Sequence, residues 1–179
     1  MLRQLRLSES DATRARPGSE ILSQLAGWRP CSIEQGQAIN SGDMRMIVSC
    51  PCDAVHIRIG SEPIAQFWCH CADCQIVHGG AYVAEAIYPA DGVEIVRGDT
   101  ISFTLKTTPR VSCARCGTRL FAELGDIGMR GLNGYLLKDR FKPELHIYCS
   151  EAIAQVDDHL PHYRTKPAAF GGDDVLMEG

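Results

Sequence analysis

Three short cysteine motifs carry the clearest chemistry in this sequence. Residues 50–52 read C-P-C, residues 69–74 read C-H-C-A-D-C, and residues 113–116 read C-A-R-C and are followed by Gly117. In an extended segment, residues i and i+2 point to the same side, so a C-x-C pair can aim both sulfurs at one ion. A turn does the same for C-x-x-C, and glycine supplies the positive φ that such a turn often needs. These spacings predict zinc, which thiolates hold at about 2.3 Å in a tetrahedron.

Seven thiolates are too many for one zinc site and one too few for two closed sites. The natural division is a closed, structural four-cysteine site and a three-cysteine site whose fourth position is open, as in catalytic zinc centres. We therefore expect two zinc ions per chain. The structural site would use Cys50, Cys52, Cys113 and Cys116, and the open, catalytic-type site would use Cys69, Cys71 and Cys74.

Other arrangements of the same cysteines remain open at this point. A fourth ligand such as His78 or Cys149 would close the three-cysteine site. All seven cysteines could serve only to fold the domain, or Cys71 and Cys74 could form a local disulfide. Cys149 otherwise lies in an apolar stretch, where a buried inert thiol is the default.

Proton transfer at an open zinc site needs a nearby group with a pKa close to neutral pH. His78 follows the second motif by four residues and is the candidate for this catalytic role. His70 lies between two predicted ligands and points away from the metal if that stretch is extended. Asp73 is expected to cap the turn, and His146 is interpreted as structural.

Composition places the chain among ordinary globular proteins and limits its partners. It has 179 residues, 45% of them hydrophobic and 22% charged, with a formal net charge of −4. General binding to nucleic acids or anionic membranes would need a basic face, so neither is expected. No apolar run is long enough to span a bilayer.

Nine cysteines cannot all pair within one chain. Charged residues interrupt the apolar positions of the N-terminus, so no export signal is expected and the predicted location is the reducing cytoplasm.

The chain divides into three predicted parts. Residues 1–43 form an extension with one short amphipathic helix around Ile21 to Trp28, which either docks on the domain or a partner subunit or remains a loose tail. Residues 44–165 form the zinc-binding domain, in which short alternating runs such as 55–59 and frequent turns predict a mainly β fold. Residues 166–179 form a C-terminal tail.

The order of the motifs resembles the glutathione-dependent formaldehyde-activating enzyme family, which also includes centromere protein V-like proteins. The resemblance rests on the three cysteine motifs, on P-E-L-H-I at residues 143–147 and on D-H-L-P at residues 158–161, and it covers residues 46 to about 165. It implies several short, coiled antiparallel β-sheets stapled by zinc. It also implies the same division into four and three zinc ligands.

The activity that the resemblance implies is carbon–sulfur bond formation or cleavage, as in the addition of glutathione to formaldehyde. The expected partner is a small thiol such as glutathione or its aldehyde adduct, and the sequence leaves a homo-oligomer open. The two carboxylates of glutathione would need cations, for which Arg110, Arg115 and Arg119 are available. The alternative functions are a non-catalytic, zinc-stapled protein-binding module and a redox-sensing thiol protein.

Overall fold

The structure, a computed structural model, describes residues 46–177. The extension and the helix predicted before residue 44 lie outside this part of the chain. The described residues form a mainly β fold, which confirms the predicted fold class. The strands are β1 (Met46–Ser49), β2 (His56–Ile59), β3 (Ala65–Cys69), β4 (Val83–Pro89), β5 (Val93–Arg97), β6 (Thr100–Leu105), β7 (Thr108–Cys113), β8 (Arg119–Leu124), β9 (Met129–Asn133) and β10 (Leu145–Ile147).

The strands form two sheets. A three-stranded sheet has the order β1-β2-β5, and a seven-stranded sheet has the order β10-β3-β4-β9-β8-β7-β6. Neighbouring strands are antiparallel except for β10, which pairs in parallel with β3. Because β3 ends at Cys69 and β7 ends at Cys113, the larger sheet carries the second and third cysteine motifs.

Alternating side chains give the larger sheet two buried faces. In β4, Ala86 and Tyr88 pack into the core that also takes Ile57 and Ile59 of the smaller sheet. Val83, which has the opposite parity in β4, packs into a second core with Phe67 and Ile147. Residues of one parity share a face. The first motif borders the first core through buried Cys50, and the second motif borders the second core through buried Cys69.

One short α-helix, α1 (Ala72–His78), follows β3. Its N-cap is Cys71, whose Sγ accepts a hydrogen bond from the backbone N–H of Cys74. Its C-cap is Gly79 at φ 63°, a left-handed conformation that glycine adopts without a steric penalty. The expected cap at Asp73 is wrong, since this carboxylate instead pairs with Lys106 (Nζ to Oδ1, 2.7 Å).

Short 3₁₀ turns cover Ala90–Gly92, Gly125–Ile127, Gly134–Arg140, Cys149–Glu151 and Ala168–Phe170. A later segment lies beside β10 and runs parallel to it, with an isolated bridge between His146 and His162. Within residues 46–177, no helix combines the length and the apolar character needed to cross a membrane.

Candidate metal centres

The first candidate centre brings together the four cysteines expected to form a structural site. Cys50 directly follows β1 and Cys113 ends β7, so the cluster links the smaller sheet to the larger one. Cys50 Sγ lies 3.4 Å from Cys52 Sγ and 3.6 Å from Cys113 Sγ, and Cys52 Sγ lies 3.8 Å from Cys113 Sγ. All four sulfurs, including that of Cys116, lie within 4.8 Å of one another.

Backbone geometry holds these sulfurs in place. The N–H of Val55 donates to Cys50 Sγ at 3.3 Å, and the N–H of Arg115 donates to Cys113 Sγ at 3.4 Å. Gly117 has φ 72°, the positive value that its place after the C-x-x-C pair predicts. Backbone N–H donors stabilise negative charge on sulfur, so the loops are built to carry thiolates.

The second candidate centre contains Cys69, Cys71 and Cys74. Cys69 ends β3, Cys71 caps α1 and Cys74 lies in its first turn, so a strand end and a helix start converge. Cys69 Sγ lies 3.8 Å from Cys74 Sγ, and all three sulfurs lie within 4.8 Å of one another. Cys69 is buried, whereas Cys71 and Cys74 are half-buried.

Within the described part of the chain, no fourth cysteine, histidine or carboxylate joins this group of three. His78 lies in the last turn of α1, and Cys149 begins a 3₁₀ turn; neither places a ligand atom in the cluster. Cys149 is half-buried and lies just beyond β10, so its expected place in a buried strand is wrong.

Buried charges lie on the side of the larger sheet that carries the second centre. Glu85 and Val83 lie two residues apart in β4, so their side chains project from the same face of the sheet, and Val83 packs beside Cys69. Arg119 binds Glu85 with two contacts, Nη2 to Oε1 at 3.0 Å and Nη1 to Oε2 at 3.2 Å. Arg110 has the opposite parity to Val111, which packs into the first core, so its side chain projects from the same face as Glu85.

Among residues 46–177, Arg110 is the buried cation without a carboxylate partner. Its Nη1 donates to the carbonyl of Thr108 at 3.0 Å, and no carboxylate of residues 46–177 lies within ion-pair distance. Arg115, by contrast, is exposed in the loop of the first centre, and Arg119 is already paired. Of the three arginines considered from the sequence, Arg110 is therefore the buried one that no carboxylate of the described residues neutralises.

These charges shift proton affinities around the second centre. Hydrogen bonds from Cys69 and Cys74, with a smaller contribution from the charge of Arg110, lower the pKa of the Cys71 thiol. Burial, together with the charges of Arg119 and Arg110, lowers the pKa of His78 to about 4, so this imidazole is neutral at pH 7. Burial raises the pKa of Glu85 to about 7, against the opposing charge of Arg119. The surroundings thus favour a thiolate at Cys71.

Two histidines near the second centre belong to a separate network. His70 Nε2 lies 2.8 Å from His146 Nδ1, and both side chains are almost fully buried. His70 makes no ligand contact with the three sulfurs, in line with its expected direction away from them. His78 Nε2, in contrast, is buried and has no hydrogen-bond partner among the described residues.

Glu85 belongs to none of the sequence motifs, although its position in the sequence carries a signal. A glutamate in the middle of the apolar run V-A-E-A-I-Y is unusual, because carboxylates are rarely buried without a partner. That partner, Arg119, lies 34 residues away along the chain and becomes adjacent only because β4 and β8 both pair with β9.

Comparisons with known proteins agree with the motif order. The sequence profile of the family described as "Glutathione-dependent formaldehyde-activating enzyme" matches residues 45–151, a span that contains all three cysteine motifs. Among solved structures, a protein from Rhodobacter sphaeroides is 20% identical, with a TM-score of 0.44 over 52% of this chain and 88% of that chain. No curated protein sequence matches. The chain belongs to the glutathione-dependent formaldehyde-activating enzyme family.

Proposed function

We propose that this protein is a zinc-dependent enzyme that makes or breaks a carbon–sulfur bond in a small thiol adduct, such as the adduct of glutathione and formaldehyde. The observation that carries the proposal is the convergence of three sulfurs with no fourth protein ligand among residues 46–177. A structural zinc site is closed by four ligands, whereas a catalytic site keeps one position for substrate. The family to which the chain belongs supports the same reaction class.

The donor set suits zinc at both centres. A tetrahedral zinc with bonds of about 2.3 Å separates neighbouring sulfurs by about 3.8 Å. Four of the sulfur pairs lie 3.4 to 3.8 Å apart, and all sulfurs of each cluster lie within 4.8 Å of one another. Cys50, Cys52, Cys113 and Cys116 would hold a structural ion, and Cys69, Cys71 and Cys74 would hold the second ion. At the second centre, a bound zinc would supply Lewis acidity and affinity for a soft sulfur ligand.

Arg110 is the proposed anchor for a substrate carboxylate. Its guanidinium is buried and unpaired by any described carboxylate, and its charge already acts on Cys71. A buried arginine gains most from a planar anion that can accept two of its N–H groups. Glutathione carries two carboxylates, so Arg110 would orient the thiol end of such a substrate toward the second centre.

His78 remains the proposed residue for proton transfer. A pKa of about 4 keeps the imidazole neutral at pH 7 but makes it a weak base, so this role requires the bound substrate to raise the pKa toward neutral. The buried Nε2, which has no hydrogen-bond partner among the described residues, is the atom that would accept the proton. Glu85 is a second candidate, since a carboxyl with a pKa of about 7 can both hold and release a proton near neutral pH. Both carboxylate oxygens contact Arg119, so the first role that we propose for Glu85 is to position that arginine.

The test is to measure how fast glutathione and formaldehyde exchange with their adduct, followed by NMR, with and without the zinc-loaded protein. We expect acceleration by the wild type and by Cys149→Ala, a control at a cysteine outside both clusters. We expect no acceleration by Cys71→Ser. If the wild type, with both thiolate clusters filled by zinc, accelerates neither direction for glutathione or for other small thiols, the proposal is wrong. The binding-module and redox-sensing functions would then take precedence.

A further inference from the structure

A third group of ligand-type side chains lies outside the cysteine clusters. It consists of His146, Asp158 and His162, whose ligand atoms all lie within 4.8 Å of one another. His146 Nε2 lies 3.0 Å from Asp158 Oδ2, and His162 Nε2 lies 3.3 Å from Asp158 Oδ1. The two imidazoles therefore aim the same type of nitrogen at one carboxylate.

The backbone fixes the two histidines side by side. The N–H of His146 donates to the carbonyl of Pro161 at 2.8 Å, and the N–H of Tyr163 donates to the carbonyl of His146 at 2.9 Å. These bonds flank the bridge between His146 and His162, whose ring centroids are 4.3 Å apart. The donors thus come from two chain segments that the fold itself joins.

Neighbouring groups orient both the buried histidine and the carboxylate. His146 is fully buried and its second ring nitrogen, Nδ1, contacts Nε2 of His70 at 2.8 Å. Metal-binding histidines commonly have such a partner, which fixes ring orientation and tautomer. Asp158 Oδ1 accepts the N–H of Leu160 at 2.9 Å. The three ligands are therefore held in place before any ion arrives.

A small cavity reaches the group at its exposed end. Its volume is about 220 Å³, and its lining includes His162, His70, Cys149, Gln155 and Met177. A cavity of this size can admit several waters or a small ligand. Of the three proposed ligands, His162 lines this space, so water could reach the group from that side and take the remaining coordination positions of an open site.

Hydrogen bonds alone also satisfy these groups. In the absence of an ion, each imidazole can donate an N–H to Asp158, and the carboxylate is then fully used. An ion would replace those two shared protons, leaving His146 to donate through Nδ1 to His70. Measuring whether the protein binds a metal ion at these three side chains therefore distinguishes the two arrangements directly.

We propose that His146, Asp158 and His162 form a third metal site, which binds zinc or a similar divalent first-row transition metal through two imidazole nitrogens and a carboxylate. This donor set favours such ions over calcium and magnesium, which prefer oxygen ligands. The site is independent of the thiolate clusters and of the proposed function. Its donors contain no sulfur, so it is also spectroscopically distinct from them.

The experiment is equilibrium dialysis of the full chain against cobalt(II), followed by elemental analysis and an absorption spectrum. The variants are Asp158→Asn, His162→Ala and His162→Gln. The matched control is His159→Ala, because His159 lies between these ligands in sequence but outside the group. The readout is the difference in bound metal from the wild type, so partial filling of the thiolate clusters does not mask it.

We expect each ligand variant to bind one equivalent less than the wild type, with unchanged thiolate-to-cobalt absorption, and His159→Ala to match the wild type. A variant that fails to fold would lose the thiolate-to-cobalt absorption together with the bound metal. Such a variant is set aside, and the ligand variants that keep this absorption decide the result. Equal binding by all variants, or equal loss in His159→Ala, would overturn the proposal. Absence of thiol–aldehyde activity would leave this result unaffected.

Discussion

Replacing Cys113 by alanine should unfold the domain. Cys113 is fully inaccessible to solvent and sits in the core between the two sheets, with its sulfur 3.6 Å and 3.8 Å from those of Cys50 and Cys52. Structural zinc sites supply about 10–16 kcal/mol of binding free energy to folding. A domain of this size has a total stability of about 5–15 kcal/mol. Losing one of four ligands therefore removes a free energy comparable to the whole stability.

The assay is far-UV circular dichroism with thermal unfolding, on protein purified without chelator. Cys113→Ala should show no cooperative transition above about 25 °C, whereas Cys149→Ala should remain within about 1 kcal/mol of the wild type. Cys71→Ala should keep a cooperative transition, because its cluster borders the smaller core. A cooperative transition of Cys113→Ala with a midpoint near that of the wild type would refute the structural assignment of the four-cysteine cluster.

Three further predictions concern the buried charges. Glu85 has a folded pKa of about 7 against 4.5 in the unfolded chain, so its contribution favours folding below pH 4.5 and is lost as the pH rises through 7. The loss is about 3 kcal/mol, and Glu85→Gln should flatten the pH dependence of urea unfolding across that window. Arg119→Met leaves Glu85 without its partner and should cost about 3–5 kcal/mol at pH 8 but less at pH 5, where Glu85 is protonated. Arg110→Met should raise the KM for glutathione about 10–100-fold, whereas Arg115→Met, an exposed control, should not.

Each of these predictions has a contradicting result. An unchanged pH profile in Glu85→Gln would show that the carboxyl titrates at its ordinary pKa. If Arg119→Met lowers the free energy of unfolding equally at pH 5 and pH 8, the loss of stability does not come from breaking the ion pair with Glu85. A lower kcat with an unchanged KM in Arg110→Met would place Arg110 away from substrate binding.

The sequence was most informative where local spacing determines geometry. The C-x-C and C-x-x-C motifs predict which sulfurs come together, since a strand end or a tight turn fixes their directions. Alternation likewise predicts β2 to within a residue of its bounds, because every second residue of this strand is buried. The zinc ligand assignment itself remains a prediction, as does His78.

Other elements depend on partners that are distant in sequence. The helix α1 has seven residues, exposes Ile76 and Val77, and owes its ends to Cys71 and Gly79, so it has no amphipathic pattern to detect. The strand β9 contains Gly131, a residue that weakens strand propensity. A Cβ there would lie 3.0 Å from Glu85 Oε2, so this glycine makes room for a side chain of β4.

The division of the thiolates into two zinc sites is tested by zinc content per chain, measured by elemental analysis of protein purified without chelator and freed of loosely bound metal. The comparison is between the wild type and Cys71→Ala, with the His162→Ala background used for both so that only the thiolate clusters are counted. We expect two zinc ions without the Cys71 change and one with it. One zinc ion in both proteins would contradict this division, because Cys69, Cys71 and Cys74 would then hold no metal of their own.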